Sequence, residues 1–427
     1  MRVLVYPHDL GIGGSQLNAV ELADAVHRAG HDVVVFGRPG ALVDRIEQLG
    51  LEFIEAPESR HRPSRSVQEA LVGLIDRRGI DVLHGYEWPP SLECILAARR
   101  RRGVATVTTV MSMAVAPFIP RRAPLVVGTA QIEAGERASG RTEVSLIEPP
   151  VDLRENGPDL DVGSEEFAQA WQLDDGRLNV VMVTRLATEL KLEGILAAAD
   201  AIGRLSTATP VRLVIVGDGP AREIVRERAR AVNARYGEGT IVLAGELRDP
   251  RPAYALADIA LGMGGSALRA MAFAKPLIVQ GERGFWETLA PETVDTFLWQ
   301  GWYGVAADAH AGSATLEARL RPLLDDPGLR RSLGEFGRDL VERRFSLDRA
   351  AQTQIGIYER ALTASARGPV RVDTGSFARF ARYHLERRVH RVFGGHRVDD
   401  FNSKPVVARA AESVPSSPPA STAGASS

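Results

Sequence analysis

Two doubly wound α/β domains in tandem are the fold class this sequence predicts, and three observations carry the prediction. Short apolar runs alternate with helical patterns along both halves of the chain. Glycine-rich turns follow such runs in each half, at Gly11–Gly14, Gly217–Gly219 and Gly262–Gly265. A polar stretch from Glu155 to Asp175 separates the two alternations and reads as a linker with a short helix. The length of 427 residues suits two domains with extra segments, and 44% hydrophobic residues supply ordinary cores.

Composition removes several function classes. A formal net charge of −2 gives no whole-molecule argument for nucleic acid binding. The single cysteine, Cys94, excludes an internal disulfide and a cysteine-rich metal site; it falls in a helical pattern, Ser91–Ala97, and reads as a packed thiol. Met1–Tyr6 enters a strand at once, without the apolar run of a signal peptide, and no stretch approaches a membrane span. The expected location is the cytoplasm, with peripheral membrane contact left open.

In the first half, Arg2–Tyr6 is a strand and Pro7–Gly14 a loop. Ser15 is positioned to cap a helix running to Ala29, Gly30 closes it, and His31–Phe36 is the next strand. This is a βαβ pattern, but Gly11-x-Gly13-Gly14 is not the full G-x-G-x-x-G, and Gly37-Arg38 stands where an acid would end the second strand. Both departures argue against a nicotinamide enzyme. The alternation continues through helix Leu42–Leu49, strand Glu52–Ala56, helix Ser66–Arg78, strand Asp81–Tyr86 and helix Ser91–Arg102. The arginines 99–102 suit a solvated helix end better than a nucleic-acid patch. Strands at Ala105–Val110, Leu125–Thr129 and Val144–Ile147 complete the half. His84 and Glu87 are placed past the carboxyl end of one strand, and His8 and Asp9 past another, where open α/β sheets bind ligands. Each is a candidate general base or acceptor-hydroxyl partner; taken singly, a loop histidine reads as solvated.

In the second half, Val180–Val183 is a strand ending in Thr184-Arg185-Leu186, and Glu189–Gly194 opens a helix to Leu205. Strand Val211–Val216, a charged helix to about Tyr236, strand Thr240–Leu243 and a short helix Arg251–Leu256 follow. Next comes Ile259–Leu261 as a buried strand, the turn Gly262–Gly265, Ser266 as N-cap, helix formers Ala267–Ala274, and strand Leu277–Val279 after Pro276. Free N–H groups at that helix start, beside Gly264 and Gly265, suit an anion as well as they suit a tight structural turn. Arg185 and Lys191 would place two cations beside a helix N-terminus, a setting for a diphosphate; a surface pair of Lys191 with Glu189 or Glu193 is the plainer reading of Lys191 alone. Helices Pro327–Arg343 and Ser346–Ala364 close the half. Beyond them, 377–393 reads as a basic amphipathic helix with Ala381, Leu385, Val389 and Val392 on one stripe, fit for an anionic membrane surface or for its own domain. The Ser/Pro/Ala-rich chain after Ser413 is expected to be disordered.

Taken in order, these pieces resemble a family 4 glycosyltransferase of the GT-B fold over about residues 2–360. The resemblance rests on Gly13-Gly14 after the first strand, Asp81–His84, Val144–Asp152, Thr184-Arg185-Leu186 with Lys191, Val214–Pro220, Ala257-Asp258-Ile259 and Ala270–Pro276. It implies two Rossmann-like domains facing a central cleft: an acceptor-side domain at 1–152, a linker at 153–175, a nucleotide-sugar domain at 176–345, a crossover helix at 346–364, a basic segment at 365–412 and a disordered tail at 413–427. It further implies a retaining, metal-independent transfer from a UDP- or GDP-linked sugar, with the nucleotide sugar as substrate and no cofactor, to a carbohydrate, lipid or small-molecule acceptor in glycan or glycolipid biosynthesis. Arg185 and Lys191 match the positions that hold the donor diphosphate, and His84 completes the candidate catalytic set. Gly13, Gly14, Gly217, Gly264, Gly265, Ser266 and Glu287 fall on the donor side. No D-x-D follows a strand; Asp159-Leu160-Asp161 lies in the linker.

One departure from that family stands out. Its E-x7-E acids are missing: Arg269 stands where the second belongs, and the loop Gly262–Ser266 offers no acid for the first. A catalytically inactive GT-B partner protein is therefore the competing function, with a nucleotide-sugar epimerase behind it.

Overall fold

The computed structural model describes residues 1–59 and 61–392. The first half runs β1 (Arg2–Tyr6), α1 (Gly14–Arg28), β2 (Asp32–Gly37), α2 (Val43–Gln48), β3 (Glu52–Glu55), α3 (Arg65–Arg78), β4 (Val82–Tyr86), α4 (Trp88–Ala98), β5 (Ala105–Val110), β6 (Leu125–Val127), α5 (Ala130–Ala138) and β7 (Val144–Leu146). The seven strands form one parallel sheet in the order β3-β2-β1-β4-β5-β6-β7. Strands buried on both faces read as unbroken apolar runs, as Val3–Tyr6 of β1 does. Successive residues of β1 feed opposite layers: Val3 and Val5 pack with Leu22 and Val26 of α1, and Leu4 and Tyr6 with Leu71 of α3 and Cys94 of α4.

The second half runs α6 (Ser164–Ala170), β8 (Leu178–Val183), α7 (Leu192–Leu205), β9 (Val211–Val216), α8 (Arg222–Tyr236), β10 (Ile241–Gly245), α9 (Arg251–Leu256), β11 (Ile259–Gly262), α10 (Gly265–Ala272), β12 (Leu277–Gln280), β13 (Trp286–Thr288), α11 (Val294–Gln300), α12 (Gly312–Asp325) and α13 (Pro327–Arg344). Its six-stranded sheet has the order β10-β9-β8-β11-β12-β13, parallel except for β13. Two Rossmann-like α/β domains are thus present. The chain passes between them twice at one place: Val151 N–H donates to Phe345 O at 2.8 Å, and Leu347 N–H donates to Val151 O at 2.9 Å. Helix α14 (Leu347–Ser365) then returns to the first sheet, where Leu347, Ala351, Ile357 and Tyr358 join its core.

Several elements differ from the sequence expectations. Gly13, not Ser15, caps α1, and the Ser15 hydroxyl instead donates to Glu87. Ser64 caps α3 where Ser66 was expected. Helix α4 starts at Trp88 and ends at Ala98, so arginines 99–102 lie past it; Arg101 pairs with Asp76. Helix α7 starts at Leu192 rather than Glu189. Helices α5, α11 and α12 and strand β13 had no counterpart in the sequence reading. In α12 the reason is Pro322 inside the helix, a residue that normally argues against one.

Helix α15 (Thr374–Val392) docks on the first domain through a face other than the expected stripe. Phe380 and Tyr383 lie 5.2 and 5.1 Å, ring to ring, from Phe118, and both also pack on Trp88. Arg379 donates to Pro117 O at 2.6 Å. Phe377 and Leu385 face outward, 71% and 63% exposed. The side chains of Val389 and Val392, Phe393, and the tail expected to be disordered lie outside the described residues. Among the described residues no helix is long and apolar enough to cross a membrane.

Candidate active site

Residues at the carboxyl ends of both sheets face the cleft, and the second domain is the more fully built. The backbone leaving β8 is clamped by Thr184 N–H to Val216 O and Leu186 N–H to Asp218 O, both 2.9 Å. Gly217, at φ 138°, permits this: a Cβ there would lie 1.9 Å from Thr184 O. Gly217 therefore positions the Arg185 loop by letting two backbones touch. Arg185 is exposed, and its guanidinium has neither an ion pair nor a hydrogen bond among the described residues.

Lys191 precedes α7 as its N-cap, after Leu190 at φ 64°. Its ammonium donates to Met263 Sδ at 2.7 Å, and its carbonyl accepts from Gln280 Nε2 at 3.1 Å. The residue thus ties together the ends of β8, β11 and β12. The pair with Glu189 or Glu193 does not form. Glu193 instead accepts from the N–H groups of Arg283 and Gly284, at 3.1 and 2.6 Å. With no carboxylate to compensate it, desolvation pushes the Lys191 pKa down to about 8.

The turn after β11 is more committed than its glycines implied. Gly264, at φ 60°, is the N-cap of α10, and its own N–H donates to Trp302 O at 2.8 Å. Ser266 is not the cap; it lies inside the helix, and its hydroxyl accepts from Met263 N and donates to Met263 O, each 3.1 Å. The N–H groups of Gly265 and Ser266, first in the helix, remain open for an anion. Glu287 lies on edge strand β13, held by Arg319 of α12 at 2.8 Å.

Arg269 has an assigned partner. Its Nη2 donates to Glu21 Oε1 of α1 at 2.7 Å, crossing from the second domain to the first. Burial raises the Glu21 pKa, Arg269 opposes that rise, and Glu21 Oε2 is buried without a hydrogen-bond partner. Nη1 of Arg269 lies 3.6 Å from where a Cβ on Gly265 would stand, so the guanidinium curls back over the start of α10.

On the first domain, Gly13 and Gly14 open α1 with ordinary φ, and a Cβ on Gly14 would meet open space. His8 Nε2 lies 2.9 Å from Asp9 Oδ2, and Gln16 reaches both side chains. The hydrogen bond from His8, above all, holds the Asp9 carboxyl well below the usual range. Glu87 is strained, with φ 62°, and buried. Its carboxylate accepts from Ser15 Oγ, Met111 N, Ser112 N and Ser112 Oγ; desolvation nonetheless raises its pKa.

His84 is the clear correction. It lies inside β4 rather than past its end, fully buried. Nδ1 is 2.7 Å from the Tyr358 hydroxyl of α14 and Nε2 is 2.7 Å from Thr109 Oγ1. Burial lowers its pKa to about 3, so it is a neutral core imidazole that joins the returning helix to the sheet. An apolar strand reads the same whether it ends at His84 or Tyr86, which is why its position was misread. Sequence reasoning also missed Glu21, a helix-face acid, and Glu282 with its hydrogen-bond partner Tyr303; nothing local to those residues marked them. Among the described residues no group of three or more His, Cys, Asp or Glu side chains is arranged to hold a metal ion.

Residues 12–127 match the family described as Glycosyltransferase Family 4, and residues 177–309 match Glycosyl transferases group 1. A 2-deoxystreptamine N-acetyl-D-glucosaminyltransferase of Streptomyces fradiae is 28% identical over 255 residues, 58% of this chain and 55% of its own length. The chain therefore spans about half of that curated relative. A glycosyltransferase from Rickettsia africae superimposes with TM-score 0.67 at 16% identity, over 84% of this chain and 98% of its own. Anabaena HepE in complex with UDP gives 0.65 at 15%, over 84% and 100%, and sucrose-phosphate synthase of Thermosynechococcus elongatus 0.64 at 18%, over 85% and 100%. With the two family matches falling in order on its two Rossmann-like domains, the chain belongs to the family 4 glycosyltransferases of GT-B fold.

Proposed function

We propose that this glycosyltransferase moves a sugar from a UDP- or GDP-linked donor to a hydroxyl-bearing acceptor with retention of configuration. One observation carries the reading: Arg185 and Lys191 have no carboxylate partner among the described residues, whereas Arg269, Arg319 and Arg344 each pair with one. A half-buried ammonium without a counter-ion is costly unless a ligand supplies the charge. As the bond from the anomeric carbon to the diphosphate oxygen breaks, negative charge grows on the leaving group. The Arg185 fork, the Lys191 point charge and the N–H groups of Gly265 and Ser266 would stabilise it. Gly13 and Gly14 leave room for the donor at the start of α1, and His8 and Glu87 would meet the acceptor at the ends of β1 and β4. The streptomycete relative is named for an amine-bearing acceptor; the ionised Asp9 carboxylate beside His8 favours a small, polar, cationic acceptor of that kind.

The test is binding of a panel of nucleoside diphosphates and their sugars by calorimetry. Binding of at least one diphosphate and its sugar is expected; no binding across the panel sinks the proposal. Loss of the E-x7-E acids, with Arg269 in their place, favours a second reading as a non-catalytic partner protein, which transfer or donor hydrolysis by the purified chain would overturn. The outward side of α15, with Phe377, Leu385 and Arg388, is also proposed to rest on an anionic membrane surface. Sedimentation with phosphatidylglycerol vesicles checks this, and Phe377→Glu with Leu385→Glu should abolish any co-sedimentation.

A further inference from the structure

The turn after β11 lacks an acid, and its remaining polar groups are largely used: Ser266 Oγ on Met263 and Gly264 N–H on Trp302 O. A sugar bound there needs hydroxyl acceptors from elsewhere. Among the acids at the ends of β8 and β12, Glu193 is consumed by the N–H groups of Arg283 and Gly284. Nearby on β13, Glu287 is consumed by Arg319.

Glu282 differs. It follows β12 by two residues, while Gln280 at the end of that strand reaches Lys191 O. Its backbone is fixed on both sides, N–H to Gly304 O at 2.9 Å and C=O from Ala306 N at 3.0 Å. One carboxylate oxygen, Oε2, accepts a short hydrogen bond from the hydroxyl of buried Tyr303. Oε1 has no partner among the described residues, and no cation pairs with the group. Tyr303 follows Trp302, whose carbonyl holds Gly264, so this carboxylate is built into the same wall as the α10 start.

We propose that Glu282, oriented by Tyr303, is the donor-sugar-binding carboxylate of this enzyme, supplied from the loop after β12 in place of the acid missing after β11. Its free oxygen accepts hydroxyl hydrogen bonds from a neutral or amine-bearing hexose and repels a uronate. This rests on the donor site proposed above. Tyr303 is a positioning residue: its hydroxyl fixes which oxygen faces the cleft and keeps the carboxylate from turning.

The experiment compares calorimetric affinities of the full chain, Glu282→Gln and Tyr303→Phe for a nucleoside diphosphate, for its hexose conjugate and for its glucuronate conjugate, using the base that binds. Glu282→Gln should weaken the hexose conjugate about tenfold, leave the bare diphosphate within twofold, and narrow the discrimination against glucuronate. Tyr303→Phe should weaken the hexose conjugate by a smaller factor, with the diphosphate unchanged. Equal loss for the diphosphate and its conjugate, or no loss for either, overturns the role of Glu282 while leaving the donor site intact. A wild-type chain that binds neither removes both. Should Glu282→Gln fail to fold, Glu282→Asp, which withdraws the carboxylate by one methylene, gives the same pattern of selective loss or overturns the assignment.

Discussion

Lys191 and Arg269 are both cations close to helix starts in the second domain, and they are held in opposite ways. The Lys191 ammonium meets a thioether, with no carboxylate, and its pKa falls to about 8. Arg269 meets Glu21 across the cleft at 2.7 Å. A cation left without a counter-ion is stored for a ligand; a cation neutralised by the opposite domain is spent on holding the domains together. On this reading, the residue that breaks the family pattern has moved from donor chemistry to domain closure.

The largest effect expected from this contrast is on stability. Arg269→Ala leaves Glu21 buried without its partner. The cost is capped near that of protonating the carboxyl at neutral pH, roughly 3 kcal/mol. Denaturant unfolding should show it, and the penalty should shrink as pH falls toward the ordinary glutamate range, because the neutral form then costs less. A double variant, Glu21→Leu with Arg269→Met, should recover most of the loss. If Arg269→Ala unfolds like the native chain, the pair does not hold the domains.

Lys191→Ala should do the reverse. It removes an uncompensated charge, so stability should stay level or rise, while nucleoside diphosphate affinity should fall about 10- to 100-fold, or roughly 1.4–2.7 kcal/mol. Calorimetry and thermal melting on the same sample separate the two. Unchanged affinity would remove Lys191 from the site.

Third in size is the pH dependence of diphosphate binding. A free-state pKa of about 8 means that Lys191 loses its proton as pH rises through that value. The bound diphosphate favours the charged form and raises the pKa, so binding takes up a proton near pH 8. Affinity should be flat below about pH 7 and fall up to about tenfold by pH 9. Calorimetry in two buffers of different ionisation enthalpy counts the proton directly, and Lys191→Ala should abolish the uptake.

What was legible in the sequence follows the same division. The strands, the glycine turns and the placement of Arg185 and Lys191 are local: apolar runs, left-handed backbone and helix starts leave marks within a few residues. His84 was misplaced because a strand end in a valine- and leucine-rich run carries no mark, and its partner Tyr358 lies 274 residues away. The Arg269–Glu21 pair, 248 residues apart, is equally invisible, since either residue alone is an ordinary charge on a helix face. The docked side of α15 was missed for a related reason. Phe380, Tyr383 and His384 are polar or aromatic, whereas the purely aliphatic stripe is the more conspicuous one and remains partly exposed. Local rules picked out Arg185 and Lys191, which carry no carboxylate partner among the described residues; long-range pairs decided which charged residues were already taken.

The smallest effect tests whether neutralisation alone sets the two cations apart. Glu21→Gln keeps the shape and a hydrogen-bond acceptor for Arg269 but removes the negative charge. The guanidinium already lies over the start of α10, with Nη1 3.6 Å from a Cβ position on Gly265. Unpaired, it becomes a second cation beside the open N–H groups of Gly265 and Ser266. Diphosphate affinity should then rise about two- to fivefold at low salt, the Coulomb gain of one partly screened charge several ångströms off. The gain should fade by about 0.5 M salt, where the screening length drops below that separation. A rise that persists at high salt would instead mean that Glu21 acts through domain closure, with its charge on Arg269 a secondary matter. No rise at all would place Arg269 outside the field of the donor site, and its contrast with Lys191 would then be one of position rather than of pairing.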